Sequence, residues 1–304
     1  MDRANYYQGK FRAADKVTVL YQLIISVIIV FNFSRVPDAR LFISLHLAVM
    51  TFILILPFLG SNKLLNWLRT WNQIIIVPLN FFELHYLVHN VRPVDMDGWL
   101  IKIDRAIFGL DPTVWLEKIQ LPVLTEYLQL IYVTFYFLPL ILAFLLYRRS
   151  RMEEFDYFAF IIVFGFYASY LLYFVVPAIG PRFTLTELHS QPLKGLWLTP
   201  YIQHTLNTLE NIQRDAFPSG HTAMTLLTMV FAYKYHRKYF YVLLIIGTSL
   251  IFSTVYLRYH YVIDVIAGFL LAWFVVVAGP VFYRALNVLP FLAPERLIRH
   301  VVRE

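Results

Sequence analysis

Residues 157–177 read YFAFIIVFGFYASYLLYFVVP, a stretch without one charged side chain. About 20 apolar residues in a helix cross the roughly 30 Å hydrocarbon core of a bilayer, so this stretch predicts a transmembrane helix. Similar runs lie at 17–33, 41–59, 74–90 and 124–147, and 220–283 holds more than one. Lys234 to Lys238 and Arg258 to Tyr261 interrupt that last region, dividing it near 219–234, 239–257 and 262–283. The expected fold is an all-α polytopic membrane bundle of about six to eight hydrophobic helices, one integral membrane domain over residues 1–304.

Composition agrees. Apolar residues are 59% of the chain and charged ones 15%, where a soluble domain carries about a quarter charged. Aromatic residues reach 18%, which suits lipid-facing helices and interfacial anchors. The net charge of +7 does not indicate nucleic acid, because the basic residues sit in short loops and form no continuous patch. They read as topology signals and contacts to anionic lipid. The absence of cysteine excludes disulfides and zinc–thiolate chemistry. A basic start followed by the run at 17–33 has the outline of a signal peptide, but Asn32, Phe33, Arg35 and Pro37 form no small-residue cleavage site. The run reads as a first spanning helix.

Sixteen of the 26 Lys and Arg fall in 1–16, 60–73, 148–156, 234–238 and 284–304. Under the positive-inside rule this predicts both termini cytoplasmic, in an inner or plasma membrane, with 91–123 and 178–218 on the outer side. Within the first of these loops, Trp99 to Phe108 (WLIKIDRAIF) is amphipathic at helical spacing and predicts a helix along the membrane surface. The second loop has no strong hydrophobic run of its own, and no internal repeat is present.

Two motifs carry chemistry. The first is Phe217-Pro-Ser-Gly-His-Thr-Ala, opening a spanning helix. Ser219 is a good N-cap and Pro218 a helix-start residue. Gly220 lets the backbone approach a ligand, and the amides of a first helical turn bind anions. His221 lies in that turn; an ordinary cap with an interfacial histidine is the alternative. The second motif is Tyr256-Leu-Arg-Tyr-His-Tyr-Val-Ile-Asp, with Gly268 four residues on. If a helix begins near His260, then His260 and Asp264 share a face and hydrogen-bond. An aspartate just inside a membrane helix needs a partner. Held in this way, the imidazole becomes a nucleophile; a packed polar pair joining helices is the alternative. Two crossings separate the motifs, so His221 and His260 are expected at the same membrane face.

Pro218-Ser-Gly-His221 with His260 and Asp264 resembles the type-2 phosphatidic acid phosphatase superfamily, which includes lipid phosphatases and vanadium haloperoxidases. The resemblance covers mainly 177–268 and implies a catalytic core over about 157–283. It implies His260 as the nucleophile that forms a phosphohistidine, Asp264 as its orienter and His221 as general acid to the leaving oxygen. Thr254 stands where the lipid phosphatases carry an arginine, and Val175 where they carry a lysine. With Pro177-Ala-Ile-Gly-Pro-Arg-Phe183, the pattern looks more like the branch containing fungal inositol phosphorylceramide synthase. Arg182 then becomes the expected phosphate clamp and Arg258 a second candidate, since a guanidinium fork suits phosphoryl oxygens. Ser219 and Gly220 complete the expected phosphate site.

Glu83, His85 and His89 dilute the run at 74–90, either lining a headgroup pocket or bonding between helices. Asp104 reads as structural. The leading expectation is a lipid phosphotransferase or phosphatase, without cofactor or metal. Its substrate is a phospholipid or lipid phosphate, and ceramide, diacylglycerol or inositol are possible acceptors. A plain lipid phosphate or polyprenyl diphosphate phosphatase is the alternative. Two His and one Asp also suit a metal-dependent hydrolase. A transporter or scaffold would show inverted repeats, and none is visible.

Overall fold

A computed structural model describes residues 7, 9–60, 62–209 and 214–288. The basic terminal segments used for topology lie partly outside these residues. Among the described residues all regular structure is helical. In chain order the α-helices are α1 (Ala13–Phe31), α2 (Ala39–Ile55), α3 (Lys63–Trp71), α4 (Gln73–Val91), α5 (Asp97–Phe108), α6 (Pro112–Trp115) and α7 (Pro122–Val133). Then follow α8 (Leu138–Arg148), α9 (Met152–Val175), α10 (Pro181–Thr184), α11 (Thr199–Leu209), α12 (Gly220–Tyr235), α13 (Arg237–Tyr256) and α14 (Val262–Val288).

Six helical segments are long and apolar enough to cross a membrane: α1, α2 with its 3₁₀ extension, α4, α9, α13 and α14. A seventh is the run expected at 124–147, which is bent by 47° between Tyr136 and Leu138. Pro139 sits in the first turn of α8, where it has no N–H to continue the ladder, and a 3₁₀ turn at Thr134–Tyr136 fills the corner. At 16 residues, α12 is about 24 Å long, short of a full crossing, and opens deep within the fold. The chain is an integral membrane bundle.

In lipid, helices associate through packing and polar contacts, since the hydrophobic effect offers little between apolar surfaces. Helix α12 is central, packed by α8, α9, α13 and α14. Its approach to α14 depends on Gly268, where a Cβ would stand 2.6 Å from the Ser219 carbonyl oxygen and 2.9 Å from the Thr222 Cβ. Helices α1 and α4 pack together and onto α9 through polar rungs. Gln22 donates to Asn80 at 2.8 Å and Asn80 to the Tyr167 hydroxyl at 2.9 Å. His46 bridges Glu83 and Ser26, both at 2.8 Å. Glu83 therefore bonds between helices, the second of its two expected roles.

The amphipathic stretch around Trp99 folds as α5, with Leu100 and Asp104 buried and Trp99, Ile107 and Phe108 exposed. The 178–218 loop contributes α10 and α11.

Candidate active site

Helix α12 starts as its sequence demands. Ser219 has extended backbone angles, and its hydroxyl accepts from the Thr222 amide at 3.2 Å. The Ser219 amide donates to the backbone oxygen of Asp264 at 3.0 Å, tying this cap to α14. The amides of Gly220 and His221 fall in the first turn, where no helical carbonyl precedes them.

The second motif is placed by the end of α13. Arg258 takes a left-handed conformation (φ 65°), the reversal that commonly closes a helix. The amides of Tyr259 and His260 then return to the Thr254 carbonyl at 2.9 and 3.0 Å. This turn carries His260 back against α12. The His221 and His260 rings lie 5.7 Å apart between centroids, so the two motifs meet.

The link between His260 and Asp264 differs from the expected one. Helix α14 begins at Val262, so His260 precedes it and the pair does not have the helical i, i+4 geometry. His260 Nδ1 makes its short contact, 2.8 Å, with the carbonyl of Ala216, while Asp264 Oδ2 stands 3.5 Å away, within ion-pair range. The same Asp264 oxygen accepts the Tyr261 amide at 2.8 Å. A carbonyl only accepts, so Nδ1 carries the proton and Nε2 the lone pair of a neutral ring. Asp264 is fully buried, and its Oδ1 has no hydrogen-bond partner among the described residues.

His221 is held by aromatic rings. Tyr132 stacks on it at 4.6 Å and Phe135 packs at 4.2 Å, while Tyr259 stacks on the far side of Tyr132 at 4.4 Å. Its buried Nε2 lacks a hydrogen-bond partner among the described residues. Tyr132, at the end of α7, and Phe135, in the 3₁₀ turn that follows it, lie before the expected core of 157–283.

Arg182, on α10, lays its guanidinium over Phe183 and Tyr259 at 4.7 and 4.9 Å. Gly180 makes that approach possible: its φ is +88°, and a Cβ would stand 2.7 Å from the Tyr259 oxygen. Arg182, His189 and Arg258 line one cavity of about 180 Å³ together with Tyr259, the residue before His260. Arg258 is already engaged, donating to Glu117 and to the Gln191 carbonyl, both at 2.8 Å. Burial opposes the charge of Glu117, but the hydroxyl and amide of Ser190, with Arg258, outweigh it and hold the carboxyl below its usual range. Burial, then Arg258, pushes His189 down, so its ring is neutral at pH 7.

Three carboxylates hold this framework: Asp104, which the sequence reads as structural, and Asp97 and Glu126, which it does not single out. Asp104 accepts the amides of Val262 and Ile263, both at 2.9 Å, capping α14 from 158 residues away. Asp97 accepts the amides of Ile179 and Gly180 at 3.0 and 2.8 Å and the Tyr261 hydroxyl at 2.8 Å. Glu126 gathers the amides of 196–199, among them Leu198 at 2.6 Å. The spacing of Leu100 and Asp104, one turn apart on α5, was the available signal that Asp104 faces inward. Among the described residues no group of three or more His, Asp or Glu side chains is arranged to hold a metal ion.

Comparison with known proteins identifies the family. Residues 98–278, more than half of the chain, match the PAP2 superfamily model, and the chain belongs to that superfamily. A PA-phosphatase related-family protein of Dictyostelium discoideum is 25% identical over 197 residues. That alignment covers 56% of this chain and 35% of the relative, so the chain spans about a third of that protein's length. No solved structure matches.

Proposed function

We propose that this member of the PAP2 superfamily is a membrane-embedded phosphatase or phosphotransferase acting on a lipid-borne phosphate through a phosphohistidine at His260. The observation that carries the reading is the pairing of His260, its Nδ1 bonded to Ala216, with His221 5.7 Å away at the start of α12. His260 Nε2 attacks phosphorus, and the bond from phosphorus to the leaving alcohol breaks. His221, taking up a proton as the anionic phosphate binds beside it, gives that proton to the departing oxygen. Positive charge developing on His260 is stabilised by the buried Asp264 carboxylate. In the second half His221 takes a proton from water or an acceptor hydroxyl, whose oxygen attacks the phosphohistidine and restores His260. Arg182 and the amides at Gly220 hold the phosphoryl oxygens.

The finer reading is transfer to an alcohol acceptor of the inositol phosphorylceramide synthase kind, with ceramide, diacylglycerol or inositol as candidate acceptors. What supports it is Thr254, fully buried with its hydroxyl on the Ile251 carbonyl, at the position where the resemblance to the lipid phosphatases implies an arginine. The site faces outward and both termini are cytoplasmic on this reading, from the charge bias of the loops.

Incubating the purified protein with ³²P-labelled phosphatidic acid tests the nucleophile. Acid-labile, base-stable label on the protein, absent in His260→Ala, is expected; label that survives in His260→Ala overturns the assignment. Adding ceramide or diacylglycerol and analysing products separates transfer from hydrolysis.

A further inference from the structure

We propose that one hydrocarbon chain of the substrate lies in a groove between α4, α8 and α9 that measures its length, ending at Arg12 and Trp71. The inference rests on the lipid-phosphate reading above and adds which part of the lipid is selected. A cavity of about 480 Å³ begins at His221 and Tyr173 and runs down α9 to Phe155. From Phe155 to Tyr173 is roughly 27 Å along a helix, close to the ~30 Å depth of a hydrocarbon core.

Three features point to a chain as the occupant. The lining is overwhelmingly apolar, so a polar ligand would give up water without gaining partners. The cavity is continuous with the histidine assigned to the leaving oxygen, where the head of the same lipid must sit. It also opens sideways: α4 and α8 both pack on α9 but not extensively on each other, and the rim residues Phe82 and Tyr136 are exposed. A chain therefore enters from the bilayer. Helix α4 lies outside the 98–278 match, so this wall is supplied by the chain's own N-terminal helices.

The floor is polar and closed. Arg12 pairs with Asp156 at 2.9 Å and donates to the carbonyls of Arg69 and Thr70 at 3.0 and 2.7 Å, with Trp71 beside it. Pushing methylenes past this point breaks a buried ion pair, a large penalty. Chains that stop short fill the groove, and longer ones do not fit.

The test uses the full chain in detergent with monoalkyl phosphates from hexyl to docosyl. Ala159→Phe places a ring one turn above the floor, and the octadecyl-to-hexyl ratio of kcat/KM is expected to fall roughly tenfold or more, as methylene selection in an apolar pocket allows. Trp71→Ala deepens the groove and should shift the preference towards chains longer than octadecyl. Hexyl phosphate turnover reports whether each variant is folded; should Ala159→Phe not fold, Trp71→Ala decides. An unchanged length profile in a folded variant overturns the proposal and leaves the groove to bulk lipid. If the native protein turns over no alkyl phosphate, the enzymatic reading fails, and the groove is judged by cross-linking instead. Phosphatidic acid with a terminal diazirine should then label residues 155–166, and label confined to the outward faces of α2 and α14 overturns the groove.

Discussion

His260 Nδ1 donates to the carbonyl of Ala216 at 2.8 Å, while the Asp264 carboxylate stands 3.5 Å away. Orientation and charge are therefore divided between two groups: the backbone sets the tautomer, and the carboxylate supplies a field. Asp264→Asn is expected to lower kcat by about 10²-fold, short of the ~10⁴-fold seen where a carboxylate alone fixes the tautomer. Single-turnover rates with labelled phosphatidic acid check this. A loss as complete as that of His260→Ala would assign the tautomer to Asp264.

His221 has a buried Nε2 without a hydrogen-bond partner among the described residues, and the residue lines the head of the apolar cavity. As the general acid it matters most for a poor leaving group. His221→Gln should lower kcat by about 10²–10⁴-fold on an alkyl phosphate, and far less on p-nitrophenyl phosphate. Equal defects on both substrates would argue that His221 only shapes the pocket.

Asp104 caps α14 by accepting two amides, and removing it leaves both part-buried donors without that partner. Asp104→Ala is expected to cost about 1–3 kcal/mol and to displace Val262 and Ile263, next to the nucleophile. Thermal unfolding in detergent measures the first effect and kcat the second. Asp104→Asn, keeping one acceptor, should recover part of both.

Glu117 ties Arg258 to the segment at Ser190 and Gln191. Its native pKa lies below the ordinary 4.5, so its contribution to stability is complete above that value and is lost as pH falls through the lowered one. Glu117→Gln should therefore have a lower Tm than the native protein at neutral pH. The gap should close as pH drops below 4.5. A gap that stays constant into acid would show that the charge of Glu117 contributes nothing.

Much of the fold was legible because bilayer physics acts on local sequence. A run such as 157–177 must satisfy its backbone within itself, so its composition alone makes it a spanning helix. His221 and His260 were legible for a related reason: each sits at a helix boundary marked by its own motif, and the two helices between them, α12 and α13, carry the chain away and back. Arg182 was readable only through resemblance, and its seat over Tyr259 came from the structure. Tyr132, Asp97, Asp104 and Glu117 were not legible as parts of the site. Each reaches a partner more than 60 residues away, and such pairs leave no spacing in one sequence.

By itself, then, the sequence determined a helical membrane bundle and the three residues whose types suit phosphoryl chemistry. Hydropathy and helix caps are local properties that survive in any fold. Tertiary structure alone decided that Ala216 rather than Asp264 holds the short bond to His260. The reason is that α14 starts two residues after His260, so the helical spacing that would have paired the two never forms there. It alone decided, too, that Phe135, just before the bend between α7 and α8, packs on His221 at the head of an apolar groove.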